Sequence, residues 1–307
     1  MTLKIFSATF GATNIDEERK FLLDFGLEIN FEQPDRIYFR GTEDRPHILT
    51  IKKADKSGPI SCAYEVDTEA NLRALANKLN TTVEPIEDNP WGGLRALLSD
   101  CDGNIVELVH GVERVAPLKL PREVVVHNSG GKVRRKGRLP IFSDQPLTVL
   151  KLCHVVYASP DTHRFINWYV ENLGAYPSDI IMGQKQPTLA FMRFPDGQKW
   201  IDHHNVAVFD GAKVAVQHVC FESLDMDAVF MAHAYLKKRG YRRSWGPVRH
   251  TYGGGLSDYW HSPSGMRIEH VTDSDIVNHE FDTLITPMSE KATLQWTTEA
   301  MPSHYLE

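Results

Sequence analysis

The feature that most restricts the fold of this chain is an internal repeat. The segment "LKIFSATFGATN" (residues 3–14) matches "LKLCHVVYASPD" (residues 150–161), because each is an apolar alternating run that ends in a polar break. Each run leads into a helical pattern that stops at Phe-Gly or Leu-Gly. Alternation with a period of two is typical of a half-buried strand, and glycine after a helical pattern marks the helix end. We therefore expect two copies of one structural unit.

Two further pairs of segments extend the repeat in the same order. Residues 60–79 match residues 216–240, and in both a strand precedes an acidic cap and an amphipathic helix. Residues 99–111 match residues 261–273, and in both a glycine-containing turn precedes a strand that carries a glutamate. We predict an α+β fold of tandem βαβββ modules, arranged as two similar domains. Each domain is expected to be a curved mixed sheet that encloses a cup.

The segment between the two copies has the composition of a connector. It contains a Gly-Gly pair, two prolines and five basic residues between Lys132 and Arg138. A basic run can bind nucleic acid, but a solvated linker or a subunit contact is the favoured interpretation. The predicted boundaries are a first domain at 1–123, a linker at 124–147, a second domain at 148–272 and an extension at 273–307.

Composition narrows the class of protein. The net charge of −6 argues against general nucleic-acid binding, which needs a basic surface. The sequence has no signal-peptide pattern and no apolar run long enough to span a bilayer, so we expect a cytoplasmic protein without membrane association. Four cysteines without CxxC spacing disfavour disulfide scaffolds and zinc ribbons. The 14 histidines are the more informative count, because histidine is the commonest side-chain ligand of transition metals.

The two copies differ at three matched positions. The second copy places His154, His218 and Glu269 on three different predicted strands. The matching residues of the first copy are Ser7, Ser61 and Glu107. Two imidazoles and one carboxylate form the facial triad that binds non-haem Fe(II) and leaves coordination positions open. A single histidine on a strand is usually a packing residue, but three ligand-type residues at equivalent points predict a metal centre in the second domain.

Other candidate residues surround this triad in the second copy. His203 and His204 precede an apolar strand, and strict alternation lets only one of them face the cup. His250 precedes three consecutive glycines, a composition that indicates close approach or mobility. Tyr259 lies ten residues before Glu269, and its phenol could donate a hydrogen bond beside the metal. Aromatic core packing is the competing interpretation for Tyr259.

At this point the sequence resembles the vicinal-oxygen-chelate superfamily, and within it the two-domain type I extradiol catechol dioxygenases. The resemblance covers residues 3–272. Its most specific part is the pattern His–x(8)–Tyr–x(3)–Pro–x–Gly–x(3)–Glu, which is filled by His250, Tyr259, Pro263, Gly265 and Glu269. The chain departs from the family signature at two places, Asp258 in place of an apolar residue and Ser262 in place of an acidic, amide or small one.

The resemblance implies an enzyme of aromatic compound catabolism that opens a substituted catechol next to its vicinal hydroxyls with O2. It implies Fe(II) at His154, His218 and Glu269, with Mn(II) as the alternative ion. His204, or alternatively His203, corresponds to the histidine that serves as acid and base near the bound oxygen. His250 and Tyr259 correspond to the residues that contact the catecholate. A homo-oligomer and a muconic semialdehyde type of product are also implied.

Three alternatives stay open at this stage. A 4-hydroxyphenylpyruvate dioxygenase-like enzyme would use the same triad but would lack the distal histidine. A glyoxalase-like enzyme would draw metal ligands from both halves, and Ser7 and Ser61 argue against it. A metal-free binding or resistance protein is disfavoured by the complete triad. We further expect Met182, Phe191 and Trp200 in the pocket, whereas the extension could pack on the body, on another subunit or over the pocket mouth.

Overall fold

A computed structural model describes residues 1–137, 146–289 and 293–302, which contain four α-helices and two large sheets. The predicted α+β fold of tandem βαβββ modules is confirmed. The first half comprises β1 (Leu3–Ala12), α1 (Ile15–Phe25), β2 (Glu28–Gln33), β3 (Arg36–Arg40), β4 (Leu49–Lys53), β5 (Gly58–Val66), α2 (Glu69–Lys78), β6 (Val83–Pro85), β7 (Leu94–Ser99) and β8 (Ile105–His110).

The second half repeats this order with one short extra strand. Its elements are β9 (Val149–Ser159), α3 (Thr162–Trp168), β10 (Tyr176–Met182), β11 (Pro187–Arg193), β12 (Ile201–Asp202), β13 (Val206–Asp210), β14 (Ala215–Ser223), α4 (Met226–Lys238), β15 (Arg243–His250), β16 (Leu256–His261) and β17 (Arg267–Thr272). A π-helical turn, Tyr169–Leu173, continues α3. The last strands are β18 (Ile276–Val277), β19 (Leu284–Pro287) and β20 (Leu294–Thr297).

The helices begin where the sequence places short polar residues after a strand. Asn14, Thr68, Asp161 and Asp225 each accept a hydrogen bond from a backbone N–H in the first turn of the following helix. Such caps satisfy donors that a helix start otherwise leaves unpaired. Helix α1 ends at Gly26 in the left-handed region, where a Cβ would come 1.9 Å from the Leu147 carbonyl oxygen. Only glycine fits that close approach.

The two sheets have equivalent strand orders. The first runs β2-β3-β4-β1-β5-β8-β7-β6, and the second contains β10-β11-β13-β9-β14-β17-β16-β15 in the corresponding positions. Strands β19 and β20 of the extension add to opposite edges of the second sheet. Strand β19 pairs with β10, and β20 pairs with β15, so the extension packs on the body of the same chain.

The register of three neighbouring strands places His154 and Glu269 in one row across the second sheet. In the second sheet His154 is opposite Cys220, and Cys220 is opposite Glu269, which places the three residues in one row across β9, β14 and β17. The equivalent row of the first sheet is Ser7, Ala63 and Glu107. Opposed residues point to the same face of a sheet, so His154 and Glu269 share the concave face.

One hydrophobic core extends through both halves and fixes their relative position. Tyr64 of the first half packs against Phe194 of the second, with ring centroids 5.0 Å apart. The His270 ring stacks on Phe25 at 3.6 Å, and its Nε2 lies 2.8 Å from the Phe25 carbonyl oxygen. Because His270 follows Glu269 in β17, this contact anchors the third strand of the site on the first half.

The predicted connector is mostly exposed within the described residues. Arg122, just before it, forms two 2.6 Å hydrogen bonds with the carboxylate of Asp225, the cap of α4. The basic run from Lys132 is solvated as far as the structure describes it, and Arg138 lies outside the described residues. None of the helices in the described part of the chain is both long and apolar enough to cross a membrane.

Candidate metal centre and pocket

Three donor atoms from His154, His218 and Glu269 converge at the centre of the second cup. The Nε2 atoms of the two histidines lie 3.2 and 3.0 Å from Oε2 of Glu269, and 3.3 Å from each other. All three side chains are buried. The structure therefore brings together the three residues that the comparison of the two copies had singled out as ligands.

The spacing of these donors fits a six-coordinate metal ion. Three ligands on one face of an octahedron, each about 2.1 Å from the centre, lie roughly 3.0 Å apart. The observed separations are close to this value on all three edges. Two imidazoles and one carboxylate are also the donor set that suits Fe(II) with open positions. The residues present thus fit a divalent transition metal.

Protonation in the site supports the same conclusion. Burial lowers the pKa of His218 to about 4, so its ring is neutral near pH 7. Its Nδ1 bonds to the amide oxygen of Gln217, so Nδ1 carries the proton and Nε2 presents a lone pair. Burial opposes ionisation of Glu269, but the adjoining rings of His154 and His218 outweigh it and hold the pKa of this carboxyl well below its usual range. A lone pair facing a carboxylate at 3.0 Å requires a cation or a proton between them.

The sequence comparison missed Cys220 as a neighbour of the triad. Its sulfur and donor atoms of His154 and Glu269 all lie within 4.8 Å of one another. Burial raises the pKa of the Cys220 thiol well above its usual value, so it stays protonated and is a poor ligand. His218 supplies the third donor better, because its nitrogen is neutral and closer to Glu269. Strand alternation could have revealed Cys220, since it lies two residues after His218 on the same face.

The consecutive residues His203 and His204 occupy different positions relative to the cavity. His204 lies on the cavity wall, with its ring centroid 4.2 Å from that of His154 and 4.7 Å from that of Phe191. His203 lies behind it, with Nε2 2.7 Å from the buried Asp179 carboxylate and Nδ1 3.1 Å from Nδ1 of His204. Burial, reinforced by the neighbouring His154 and His203, lowers the pKa of His204 well below its usual value.

Gly253, the first glycine of the triplet, lies against His203. Its φ is +67°, and a Cβ there would lie 3.0 Å from Nδ1 of His203. A side chain would therefore be strained by the backbone and would also press on the histidine. Of the two interpretations of the glycine triplet, close approach is the one seen at this residue.

His250 and Tyr259 form a hydrogen-bonded pair on the opposite side of the cup. Nδ1 of His250 lies 2.9 Å from the Thr293 carbonyl oxygen and must donate to it. Nε2 is therefore the acceptor for the Tyr259 hydroxyl, at 2.8 Å. The Trp245 ring lies parallel to that of Tyr259, with centroids 6.0 Å apart, and supports it from behind. Burial lowers the pKa of His250, which keeps this acceptor neutral near pH 7.

These residues line a cavity of about 140 Å³ above the triad. Phe191 is in its wall as predicted, but the expectation for Met182 and Trp200 was wrong. Met182 ends the outlying strand β10, and Trp200 lies in a loop with 62% of its surface exposed.

Met288, Thr293 and Met301 of the extension also line the cavity, so the extension covers its mouth. A larger cleft of about 370 Å³ between the halves contains none of the triad.

Asp258 and Ser262, the two residues that depart from the family signature, both form hydrogen bonds within the protein. The Asp258 carboxylate is fully buried, accepts a 2.7 Å hydrogen bond from Nε1 of Trp260 and lies 3.1 Å from Nδ1 of His233 on α4. Ser262 donates a 2.8 Å hydrogen bond to Glu18 of α1. Both residues therefore hold the neighbouring strands in place and do not enter the cavity.

The first cup has serines at the positions equivalent to His154 and His218, and its histidine, His47, lies elsewhere in the cup. Ser61 donates a hydrogen bond to Glu107, the counterpart of Glu269. A neutral hydroxyl thus takes the place that His218 occupies in the second cup, and Glu107 has a partner within the protein.

Comparison with known proteins agrees with this geometry. Residues 151–270 match the family described as Glyoxalase/Bleomycin resistance protein/Dioxygenase superfamily. The matched segment contains β9, β14 and β17, the strands that carry the three donors. The predicted resemblance to the vicinal-oxygen-chelate superfamily is thereby confirmed.

Similar proteins and structures extend the comparison to the whole fold. Metapyrocatechase 2 of Cupriavidus necator is 26% identical over 193 residues, which are 62% of this chain and 57% of that protein, so the match spans less than two thirds of the relative. The Mn(II)-bound glyoxalase from Novosphingobium aromaticivorans superposes with a TM-score of 0.82 at 22% identity, covering 100% of this chain and 94% of the other. Homoprotocatechuate 2,3-dioxygenase from Brevibacterium fuscum gives 0.80 at 21% identity, covering 100% and 92%.

Proposed function

We propose that the chain is an extradiol catechol dioxygenase that uses Fe(II), with Mn(II) as the alternative ion. The observation that carries the proposal is the convergence of His154, His218 and Glu269 at one end of a buried cavity that also holds His204 and Tyr259. The metapyrocatechase relative supports the same activity. Both atoms of O2 would enter the product while the ring bond beside the hydroxyls breaks, so no external reductant is needed.

When bound, Fe(II) would supply Lewis acidity for the catechol oxygens and electron transfer to O2. The protein would hold the ion with one carboxylate and two imidazoles, which would leave up to three positions for substrate and oxygen. The cavity walls exclude bulk water, which strengthens every hydrogen bond to the reacting atoms.

Tyr259 and His250 would receive a proton from the substrate. Because the Tyr259 hydroxyl donates to Nε2 of His250, its oxygen can act as the acceptor for a catechol O–H. His250 can in turn accept the proton of the Tyr259 hydroxyl, because burial lowers the pKa of His250 and leaves its ring neutral. The Thr293 carbonyl would stabilise the resulting charge through Nδ1–H.

His204 would be the acid–base residue on the other side of the cavity. Its lowered pKa leaves a neutral ring that can accept a proton and return it later. His203, itself held by Asp179, orients this ring from behind, because it occupies Nδ1 of His204 and leaves the opposite edge towards the cavity. We therefore assign the acid–base role to His204 and a positioning role to His203.

The geometry disfavours the alternatives. A glyoxalase-like centre would take ligands from both halves, whereas the three donors here come from β9, β14 and β17 of the second half. A 4-hydroxyphenylpyruvate dioxygenase-like enzyme would lack the distal histidine, which His204 supplies. A metal-free binding protein would not need three buried donors within 3.3 Å of one another.

The experiment is anaerobic loading with Fe(II), followed by metal analysis and an O2-electrode assay with catechol. We expect about one iron per chain, O2 uptake equal to catechol consumed, and a yellow ring-opened product. Glu269→Gln should lose both iron and turnover. Glu107→Gln is the matched control, because it changes the equivalent carboxylate of the other cup and should keep both.

His204→Ala separates the acid–base role from metal binding. It should keep the iron and lower turnover by about 10²–10⁴-fold, the usual contribution of a positioned acid–base group. A protein that binds no iron or manganese, or an iron-loaded protein that consumes no O2 with any catechol, would refute the proposal.

A further inference from the structure

The charge and the size of the cavity above the triad indicate which substituent a catechol substrate can carry on its ring. This inference rests on the proposed ring-cleaving function. The walls of the cavity come from opposite parts of the curved second sheet. Strands β11 and β13 contribute Leu189, Phe191 and Phe209 on one side, and β15 and β16 contribute Trp245 and Tyr259 on the other. The hydroxyl-binding groups are thus at one end, and an apolar wall faces them across the cup.

The charge of the wall is the first observation. None of the lining residues among those the structure describes is a lysine or an arginine. The nearby guanidinium of Arg249 is engaged by the Gly254 carbonyl and, at 2.8 Å, by Asp273. Asp210, on the rim of the cavity, is an acid. Among the residues that the structure describes, a carboxylate on the ring would therefore have no lysine or arginine partner and would lie near a like charge.

The histidines of the cavity do not compensate for this. Nδ1 of His204 is engaged by His203, at 3.1 Å. His250 is committed at both nitrogens, to Thr293 and Tyr259. The two rings therefore offer an anionic substituent at most the Nε2 atom of His204.

The size of the cavity is the second observation. Its volume of about 140 Å³ is close to that of an engineered apolar cavity of about 150 Å³ that binds benzene in another protein. Pockets for drug-sized ligands are larger, about 300–1,000 Å³. The space fits one aromatic ring with a small substituent, and it does not fit a second ring.

We propose that the site takes neutral, single-ring catechols with a short alkyl or halogen substituent, and that it rejects catechols bearing a carboxylate or a second ring. The apolar wall of Leu189, Phe191 and Phe209 holds the substituent. Specificity then comes from an unpaired buried charge in one case and from steric exclusion in the other.

The test compares four catechols on the iron-loaded enzyme. 4-Isobutylcatechol and 3,4-dihydroxyphenylacetate have side chains of nearly the same shape and differ in charge, whereas 4-methylcatechol and 3,4-dihydroxybiphenyl carry substituents at the same ring position and differ in size. We expect kcat/KM for the acid to be at least about 100-fold below that for the isobutyl compound, or about 2.8 kcal/mol. The biphenyl should be at least about 100-fold below 4-methylcatechol.

Anaerobic calorimetric titration of the same four compounds gives a second readout that needs no turnover. The affinities should follow the same order. If neutral catechols bind in this order but none is cleaved, the dioxygenase proposal fails and the specificity inference survives. If the acid is cleaved as well as its isobutyl analogue, or the biphenyl as well as 4-methylcatechol, the inference is overturned while the dioxygenase proposal stands.

A variant tests the charge argument directly. Leu189→Arg places a guanidinium in the apolar wall and should improve kcat/KM for the acid relative to the isobutyl compound by at least about 10-fold. Leu189→Met, which keeps the wall apolar, should retain the wild-type ratio. A folded Leu189→Arg protein with an unchanged ratio would contradict the argument, and the wild-type comparison decides the matter if this variant does not fold.

Discussion

The buried pair of Asp258 and His233 offers a sharp test of how α4 is held against the site. Asp258 is fully buried and accepts hydrogen bonds from Trp260 and His233. Asp258→Ala removes the acceptor for two donors, each costing about 1–3 kcal/mol when left unpaired, so we expect a loss of about 3 kcal/mol in the free energy of unfolding. Asp258→Asn keeps an acceptor of the same shape. Because burial raises the pKa of Asp258, its charge adds little, and we expect a loss of about 1 kcal/mol or less.

The assay is urea denaturation of the metal-free proteins, with a second Asp–His pair on the same helix as control. Asp227, in the first turn of α4, lies 3.7 Å from His127, and both side chains are at least 36% exposed. Asp227→Ala should cost less than about 1 kcal/mol, as exposed pairs and helix-end charges usually do. The reasoning is refuted if Asp258→Ala costs no more than this control, or if Asp258→Asn is as damaging as Asp258→Ala.

The pH dependence of the same pair has a definite sign. Burial, partly opposed by a hydrogen bond from His233, raises the pKa of Asp258 in the folded protein above the value of about 3.9 expected when unfolded. Between these two values the folded state holds a proton that the unfolded state has lost, so this contribution to stability falls as pH rises through the folded pKa. The stability gap between wild type and Asp258→Asn should therefore shrink from pH 4 to pH 7. A gap that widens would contradict the sign.

Three further outcomes are expected. Asp179→Asn should lower kcat by about 10–100-fold with iron content unchanged, because His203 would no longer hold the His204 ring, and paired kinetics and metal analysis check this. Cys220→Ser should keep the metal stoichiometry of wild type, since burial raises the pKa of this thiol and keeps it neutral, and loss of metal on elemental analysis would instead make it a ligand. Mn(II) at a hundred times its Kd should stabilise the metal-free protein by about 2.7 kcal/mol, and Glu269→Gln should abolish the shift in a thermal melt.

The fold and the triad were predictable from sequence because both depend on the repeat. Strand alternation and helix caps are local signals, and two copies of them identify equivalent positions. The comparison of His154 with Ser7 and of His218 with Ser61 therefore anticipated the strand register that brings the donors together.

Features that depend on contacts between residues far apart in the chain could not be predicted from the sequence. No local pattern joins Asp179 to His203, or Asp258 to His233, since each pair meets only when separate elements pack. The expectation for Trp200 was wrong for a related reason. An aromatic residue beside a strand was interpreted as part of the cavity wall, but Trp200 belongs to an exposed loop.

The hydrogen bond from His250 to Thr293 links the chemistry of the cup to a segment outside the duplicated unit. The Thr293 carbonyl, 43 residues further along the chain, determines which nitrogen of His250 carries the proton. That choice in turn directs the hydroxyl hydrogen of Tyr259. A backbone atom of the extension thus sets the direction of the hydrogen bond between Tyr259 and His250. Removing or displacing this segment should alter the pH profile of catalysis even where the core of both halves stays fully folded.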